Sequence, residues 1–147
     1  MKELLQRAKE KDLTITILGM GYIGLPTAIA FAKAGFTVKG FDVNKKIIET
    51  LKAGHIHIVE PSLQEAFEEA LKSGRLIPTD KLEKSDVFII SVPTPFKKDH
   101  EEKIADLSYV ESAAKEVATV LKENNLVILE STVPPMTTKL MTDILER

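Results

Sequence analysis

The feature that most limits what this chain can become is a run of five residues, Thr14 to Leu18 (Thr-Ile-Thr-Ile-Leu), leading straight into Gly19-Met20-Gly21-Tyr22-Ile23-Gly24. The β-branched run has the character of a buried strand. Beyond the glycines, Leu25, Ala28, Ile29 and Ala32 fall at helical spacing over Tyr22 to Ala34, and Gly35 stands where a helix C-cap glycine belongs. A strand that turns through glycines into a helix, with further strand character in Phe36 to Asp42, calls for a parallel strand–helix–strand unit with a right-handed crossover.

The same alternation continues along the chain. Asn44 to Ala53 carries Ile47, Ile48 and Leu51 on one helical face before Gly54. Pro61-Ser62 opens another helix, with Ser62 and Glu65 spaced as a capping box, Leu63, Phe67 and Leu71 as its apolar stripe, and Gly74 at its close. Leu76 to Thr79 reads as a short edge strand, and Asp86 to Val92 as the strongest strand, apolar enough for burial on both faces. After a charged loop from Lys97 to Lys103, the residues Leu107, Val110, Ala114, Val117 and Leu121 predict a long amphipathic helix. Leu126 to Leu129 reads as a further apolar strand and Met136 to Glu146 as a helix. The fold class expected is therefore α/β: a doubly wound, mostly parallel sheet with helices on both faces, the Rossmann arrangement, over residues 14–147, preceded by a short amphipathic helix in residues 1–13.

Composition narrows the function classes. A chain of 147 residues is the size of one domain, and its 44% apolar and 29% charged content is ordinary for a globular protein. No apolar run approaches the length of a bilayer span, no secretory signal is seen, and a net charge of -2 gives no basic footprint, so neither membrane nor nucleic acid is expected as a partner. There is no cysteine, hence no thiolate zinc site and no cysteine nucleophile. His55, His57 and His100 show no metal-ligand spacing, and no metal is expected.

GxGxxG alone is a weak signal, but here it ends a strand, opens a helix and is followed, eighteen residues beyond Gly24, by Asp42 at the end of the next strand. Gly19 permits the tight turn, Gly21 lets backbone approach a diphosphate, and Gly24 lets the helix pack closely on the strand. The diphosphate meets free N–H groups and the positive end of the helix dipole. Asp42 can accept hydrogen bonds from both hydroxyls of an adenosine ribose and repels a 2′-phosphate, which favours NAD over NADP. The bland alternative keeps the glycines as a turn and Asp42 as the cap of the following helix, and domains for FAD or S-adenosylmethionine share parts of the pattern.

The wording of the loop, Gly-Met-Gly-Tyr-Ile-Gly-Leu-Pro-Thr-Ala (Gly19 to Ala28), resembles the opening of the UDP-glucose/GDP-mannose dehydrogenase family. Three later segments agree: Gly54 to Pro61 (Gly-His-Ile-His-Ile-Val-Glu-Pro), Val92 to Phe96 (Val-Pro-Thr-Pro-Phe), and Glu130 to Pro135 (Glu-Ser-Thr-Val-Pro-Pro). The His-Ile-Val-Glu-Pro wording, Asp99-His100 and Tyr109 to Ala114 are most similar to the members acting on UDP-N-acetyl-D-mannosamine, with UDP-glucose as the alternative sugar nucleotide. A relative among the 3-hydroxyacid dehydrogenases would share the glycine loop but not the Val-Pro-Thr-Pro and Glu-Ser-Thr-Val segments together.

The resemblance implies a cytoplasmic, NAD-dependent oxidoreductase that makes a UDP-linked uronic acid for polysaccharide biosynthesis, oxidising a C6 alcohol to a carboxylate with two NAD and one water. It implies Tyr22, Ile23, Asp42, Thr94 and Thr132 at the dinucleotide, alongside Gly19, Gly21 and Gly24. It also implies Thr94 and Glu130 as catalytic positions, holding nicotinamide or a water; Thr94 satisfying a turn and Glu130 as a solvated strand end are the alternatives. Met136 stands where many members have glycine. The family continues through a linking helix, on which its dimers are largely built, to a UDP-binding domain carrying the catalytic cysteine and lysine. The chain is thus expected to be an inactive fragment that binds NAD as a monomer or a weak association, unless it is a non-catalytic NAD(H)-sensing module.

Overall fold

The computed structural model describes residues 2–98 and 103–146. Five strands, β1 (Thr14–Leu18), β2 (Thr37–Phe41), β3 (Leu76–Thr79), β4 (Val87–Ile90) and β5 (Leu126–Leu129), form a sheet in the order β3-β2-β1-β4-β5. Every pairing is parallel, with Ile15 beside Val38 on one side and Val87 on the other. The helices are α1 (Lys2–Lys9), α2 (Gly24–Lys33), α3 (Lys45–Lys52), α4 (Leu63–Lys72), α5 (Ser108–Ala118) and α6 (Thr137–Leu145). Strand order reverses at β1, so the crevice between the carboxyl ends of β1 and β4 is the topological switch point.

The sheet is covered on both faces because alternate strand residues feed different cores. Ile15, Ile17, Val38, Val87 and Ile89 meet α2, α3 and α4 through Leu25, Ile29, Leu51 and Phe67. Leu18, Phe41, Phe88 and Ile90 meet α5 and α6 through Ala113, Ala114, Val117 and Met141. All four residues of β4 are buried, as its apolar run predicts.

Two sequence expectations are corrected, one at α4 and one at α2. The capping box at α4 is absent: Ser62 occupies the left-handed region with φ 64° and its side chain makes no cap hydrogen bond. The loop is held instead by Gln64, which accepts from the Ile56 N–H and donates to the Gly54 carbonyl. Helix α2 starts at Gly24 rather than Tyr22, because the glycine turn occupies Tyr22 and Ile23. β5 is only half covered: Leu126 and Ile128, on the α2 side, remain 37% and 39% exposed because no helix lies over them. Of the charged loop, Asp99 to Glu102 lies outside the described residues, while an antiparallel bridge from Phe96 to Ala105 closes its base.

Helix α1 is latched to the sheet by Arg7, whose guanidinium donates to both oxygens of Asp86 at 2.7 and 3.1 Å. The Thr14 N–H donates to the same carboxylate at 2.9 Å. Burial pushes the Asp86 carboxyl up, but the Arg7 and Thr14 hydrogen bonds and the Arg7 charge outweigh it and hold the group below its ordinary range.

Candidate functional site

A cavity of about 630 Å³ opens at the switch point. Its floor is the carboxyl ends of β1, β2 and β4 (Leu18, Phe41, Ser91), and its sides are the glycine turn, the segment from Asp42 to Asn44 with Ile47, and α5. Gly19, Gly21, Tyr22, Ile23 and Asp42 all line it, so these five sequence candidates converge on one space.

Each glycine of the turn has its own geometric reason. Gly19 sits at φ 99°, and a Cβ there would also strike the Ser91 carbonyl. A Cβ on Gly24 would overlap the Gly19 carbonyl and lie 3.2 Å from the Ser91 Cβ, so this glycine sets how closely α2 approaches the sheet. Gly21 is the opposite case: a Cβ would meet nothing within 4 Å, because the residue borders the cavity. Ile23 caps α2 without any side-chain bond; the Leu25 N–H donates to the Gly21 carbonyl at 3.1 Å and Pro26 has no N–H, so the start of the helix offers an anionic ligand its positive dipole end more than a set of free donors. Met20, between the first two glycines, is fully buried over Gly40, whose missing Cβ makes room for the Met20 sulfur.

Asp42 does more than stand at the end of β2. One carboxylate oxygen accepts from the Met20 N–H at 2.9 Å and the other from the Asn44 N–H at 2.8 Å. The carboxylate therefore joins the glycine turn to the loop before α3, and it retains lone pairs for a ligand hydroxyl. The cap of α3 is Asn44, which accepts from the Lys46 N–H, so the reading of Asp42 as no more than that cap is set aside.

Thr94, Glu130 and Thr132 do not line the cavity and form a neighbouring group at the ends of β4 and β5. The Thr94 hydroxyl donates to the Thr132 carbonyl at 2.7 Å, so a turn-satisfying role is real for it. Glu130 is no free strand end: the Thr27 hydroxyl donates to one oxygen at 2.8 Å and the Ser91 hydroxyl donates to the other. Ser91 lines the cavity as well, and so joins the two groups. His55 and His57 lie exposed in the loop after α3, away from the cavity; His100 falls outside the described residues.

Sequence reasoning missed the wall supplied by α5. Tyr109, Ser112 and Glu116 face the cavity at helical steps of three and four. The signal was available as a stripe beside the buried Val110, Ala113, Ala114 and Val117. The start of α5 is fixed by Asp106, whose carboxylate accepts from the Ser108 N–H at 2.9 Å. Hydrogen bonding to the Ser108 side chain and then to its N–H holds that carboxyl below its usual range. Among the described residues, no group of three or more His, Asp or Glu side chains is placed to hold a metal ion, and no helix is long and apolar enough to cross a membrane.

Comparison with known proteins gives this geometry a setting. The model of the UDP-glucose/GDP-mannose dehydrogenase family, NAD binding domain, matches residues 13–147. A UDP-N-acetyl-D-mannosamine dehydrogenase from Yersinia pestis is 52% identical over 128 residues, covering 87% of this chain and 30% of the relative. The native structure of the UDP-N-acetyl-mannosamine dehydrogenase from Staphylococcus aureus superposes with a TM-score of 0.86 at 45% identity, covering 90% of this chain and 32% of that one. A UDP-glucose dehydrogenase from Pyrobaculum islandicum gives a TM-score of 0.83 at 40% identity, with 91% and 32% covered. The chain thus spans about a third of the length of the relatives it matches.

Proposed function

The chain belongs to the UDP-glucose/GDP-mannose dehydrogenase family, as its NAD binding domain, and from that premise we propose that it holds the cofactor for the oxidation of UDP-N-acetyl-D-mannosamine to the uronate. The observation that carries the cofactor site is the union of Gly21, open to the cavity, with Asp42 on its wall. NAD, when bound, would supply the hydride acceptor. The chain's residues bind and orient it. The glycine turn and the start of α2 take the diphosphate, Asp42 takes the ribose hydroxyls, and the side chains of Val43 and Ile47 with Tyr109 flank the adenine. Tyr22 and Ile23, exposed at the turn, pack along the dinucleotide; Thr94, Glu130 and Thr132 lie on the nicotinamide side. Glu130, held by the Thr27 and Ser91 hydroxyls, orients a water or the substrate hydroxyl there.

The choice of sugar is supported by the names of the relatives, with UDP-glucose as the second reading supported by the Pyrobaculum structure. In this reading the longer protein works in the cytoplasm as a homo-oligomer serving polysaccharide biosynthesis. The chain itself has no cysteine, so it offers no thiol for a covalent second oxidation, and it binds without turnover.

Calorimetric titration with NAD, NADP and UDP-N-acetylmannosamine tests the reading. NAD should bind, NADP and the sugar nucleotide far more weakly. Asp42→Ala should weaken NAD by about tenfold or more through the lost ribose bonds. Thermal melting accompanies the titration, because Asp42 also ties two loops together. Equal affinity for NAD and NADP, or none for NAD, would overturn the assignment.

A further inference from the structure

Glu130 is fixed by more than its place in the chain. Its N–H donates to the Ile90 carbonyl at 2.9 Å, which anchors the residue against the end of β4. Its carboxylate is then gripped from two directions: by Thr27, in the first turn of α2 and 103 residues away in sequence, and by Ser91, 39 residues away at the end of β4. Ser91 has no slack, being 8% exposed and wedged behind Gly19 and Gly24. Two hydroxyls, each donating to a different oxygen, fix the plane of a carboxylate and leave its remaining lone pairs and its charge facing outward.

A dinucleotide crossing the carboxyl edge of such a sheet runs from the ribose acceptor after β2, over the glycine turn after β1, to the ends of β4 and β5. Asp42 and Glu130 stand at the two ends of that path, so the nicotinamide belongs to the side where Glu130 is held. The oxidised ring carries a positive charge and the reduced ring does not. A carboxylate held near it stabilises the oxidised form selectively, and a carboxylate free to swing into solvent does so less.

We propose that Thr27 and Ser91 are positioning residues that aim Glu130 at the nicotinamide and thereby bias the site toward oxidised NAD. The proposal rests on the NAD reading above and adds to it a role for two hydroxyls outside the glycine motif. With the site open to water, the effect amounts to about a threefold difference in relative affinity, as a Coulomb interaction over several ångströms in high dielectric gives. It shrinks as salt is added.

The experiment measures the dissociation constants of NAD and NADH for the 147-residue chain and for Glu130→Gln, Thr27→Val, Ser91→Ala and Thr27→Ser, each with a melting curve. The expected result is a ratio of NADH to NAD constants that falls about threefold in Glu130→Gln. It falls part of the way in Thr27→Val and Ser91→Ala, and returns in Thr27→Ser. In the Glu130→Gln background, Thr27→Val should leave the ratio where it is, since the hydroxyl acts only through the carboxylate. A ratio indifferent to Glu130→Gln or to Thr27→Val, or one that Thr27→Val still shifts when Glu130 is Gln, overturns the proposal while NAD binding itself stands. A parent chain that binds neither nucleotide overturns the cofactor reading and this inference with it. Loss of melting temperature without a change in ratio counts against a positioning role, because packing alone treats the two nucleotides alike.

Discussion

The two halves of the sheet hold their functional groups by different means. On the side of β1 and β2, the site is made of backbone: a positive-φ glycine, a glycine in contact with a carbonyl, an uncapped helix start, and a carboxylate bonded to two N–H groups. On the side of β4 and β5, it is made of side chains bonded to side chains and to turn carbonyls, and the strand that carries it is half exposed. Backbone geometry leaves little to adjust when a ligand arrives. Hydroxyl-to-carboxylate bonds fix a group just as firmly but through side chains that a single substitution removes, so the place of Glu130 depends on Thr27 and Ser91.

The contrast can be broken most forcefully at Gly24. Gly24→Ala puts a methyl into the Gly19 carbonyl and should cost roughly 3 kcal/mol or more, with loss of NAD binding, as read by denaturant unfolding and calorimetry. Retained binding would mean that the turn is softer than its contacts imply. Next comes a matched pair on neighbouring strands, Ile89 and Ile128, which are direct partners in the β4–β5 register. Ile89→Ala, at a site 3% exposed, should cost about 2–5 kcal/mol, and Ile128→Ala about 1 kcal/mol or less. Equal losses would show that something covers β5 in solution.

A smaller gain is expected at Met136, which caps α6 at φ 71°, the backbone region where glycine is at ease. Met136→Gly should raise stability by up to about 1 kcal/mol, the relieved strain being partly offset by glycine's greater unfolded freedom. Thermal melting reads it. The gentlest test is acid. The Asp86 carboxyl lies below its ordinary 3.8 in the folded chain, so its contribution is complete above that value and is lost as pH falls through the folded one. Melting temperature should therefore decline below about pH 4, and the Asp86→Asn variant should decline less steeply over the same range.

What could be read in the residues follows the same division. The β1 turn, α2 and the place of Asp42 were legible because they are set by backbone: a glycine at φ 99° or under a carbonyl can be little else. Met136 was legible as a departure from glycine, and the left-handed conformation at its position gives the reason a glycine would sit there. Ser62 misled because the Ser-x-x-Glu spacing says nothing of backbone angle, and at φ 64° the residue lacks the extended backbone that a side-chain cap uses. Leu126 to Leu129 read as an apolar strand like β4, yet only neighbours in space decide how much of it is covered. The α5 wall went unnoticed because its buried stripe dominated the pattern, although Tyr109, Ser112 and Glu116 repeat at the same period one position away. The grip on Glu130 joins residues 103 and 39 positions apart, a relation that no local pattern carries.

β5 pairs with β4 on one side, and among the described residues its other side has no partner strand. Such a border is a template: a row of amide and carbonyl groups, flanked by Leu126 and Ile128, accepts any extended segment that comes alongside. For the isolated chain this makes concentration a structural variable. A dilute solution keeps the sheet at five strands, and a crowded one invites it to grow sideways, so light scattering against concentration reads the edge directly, and a lysine at Ile128 would close it.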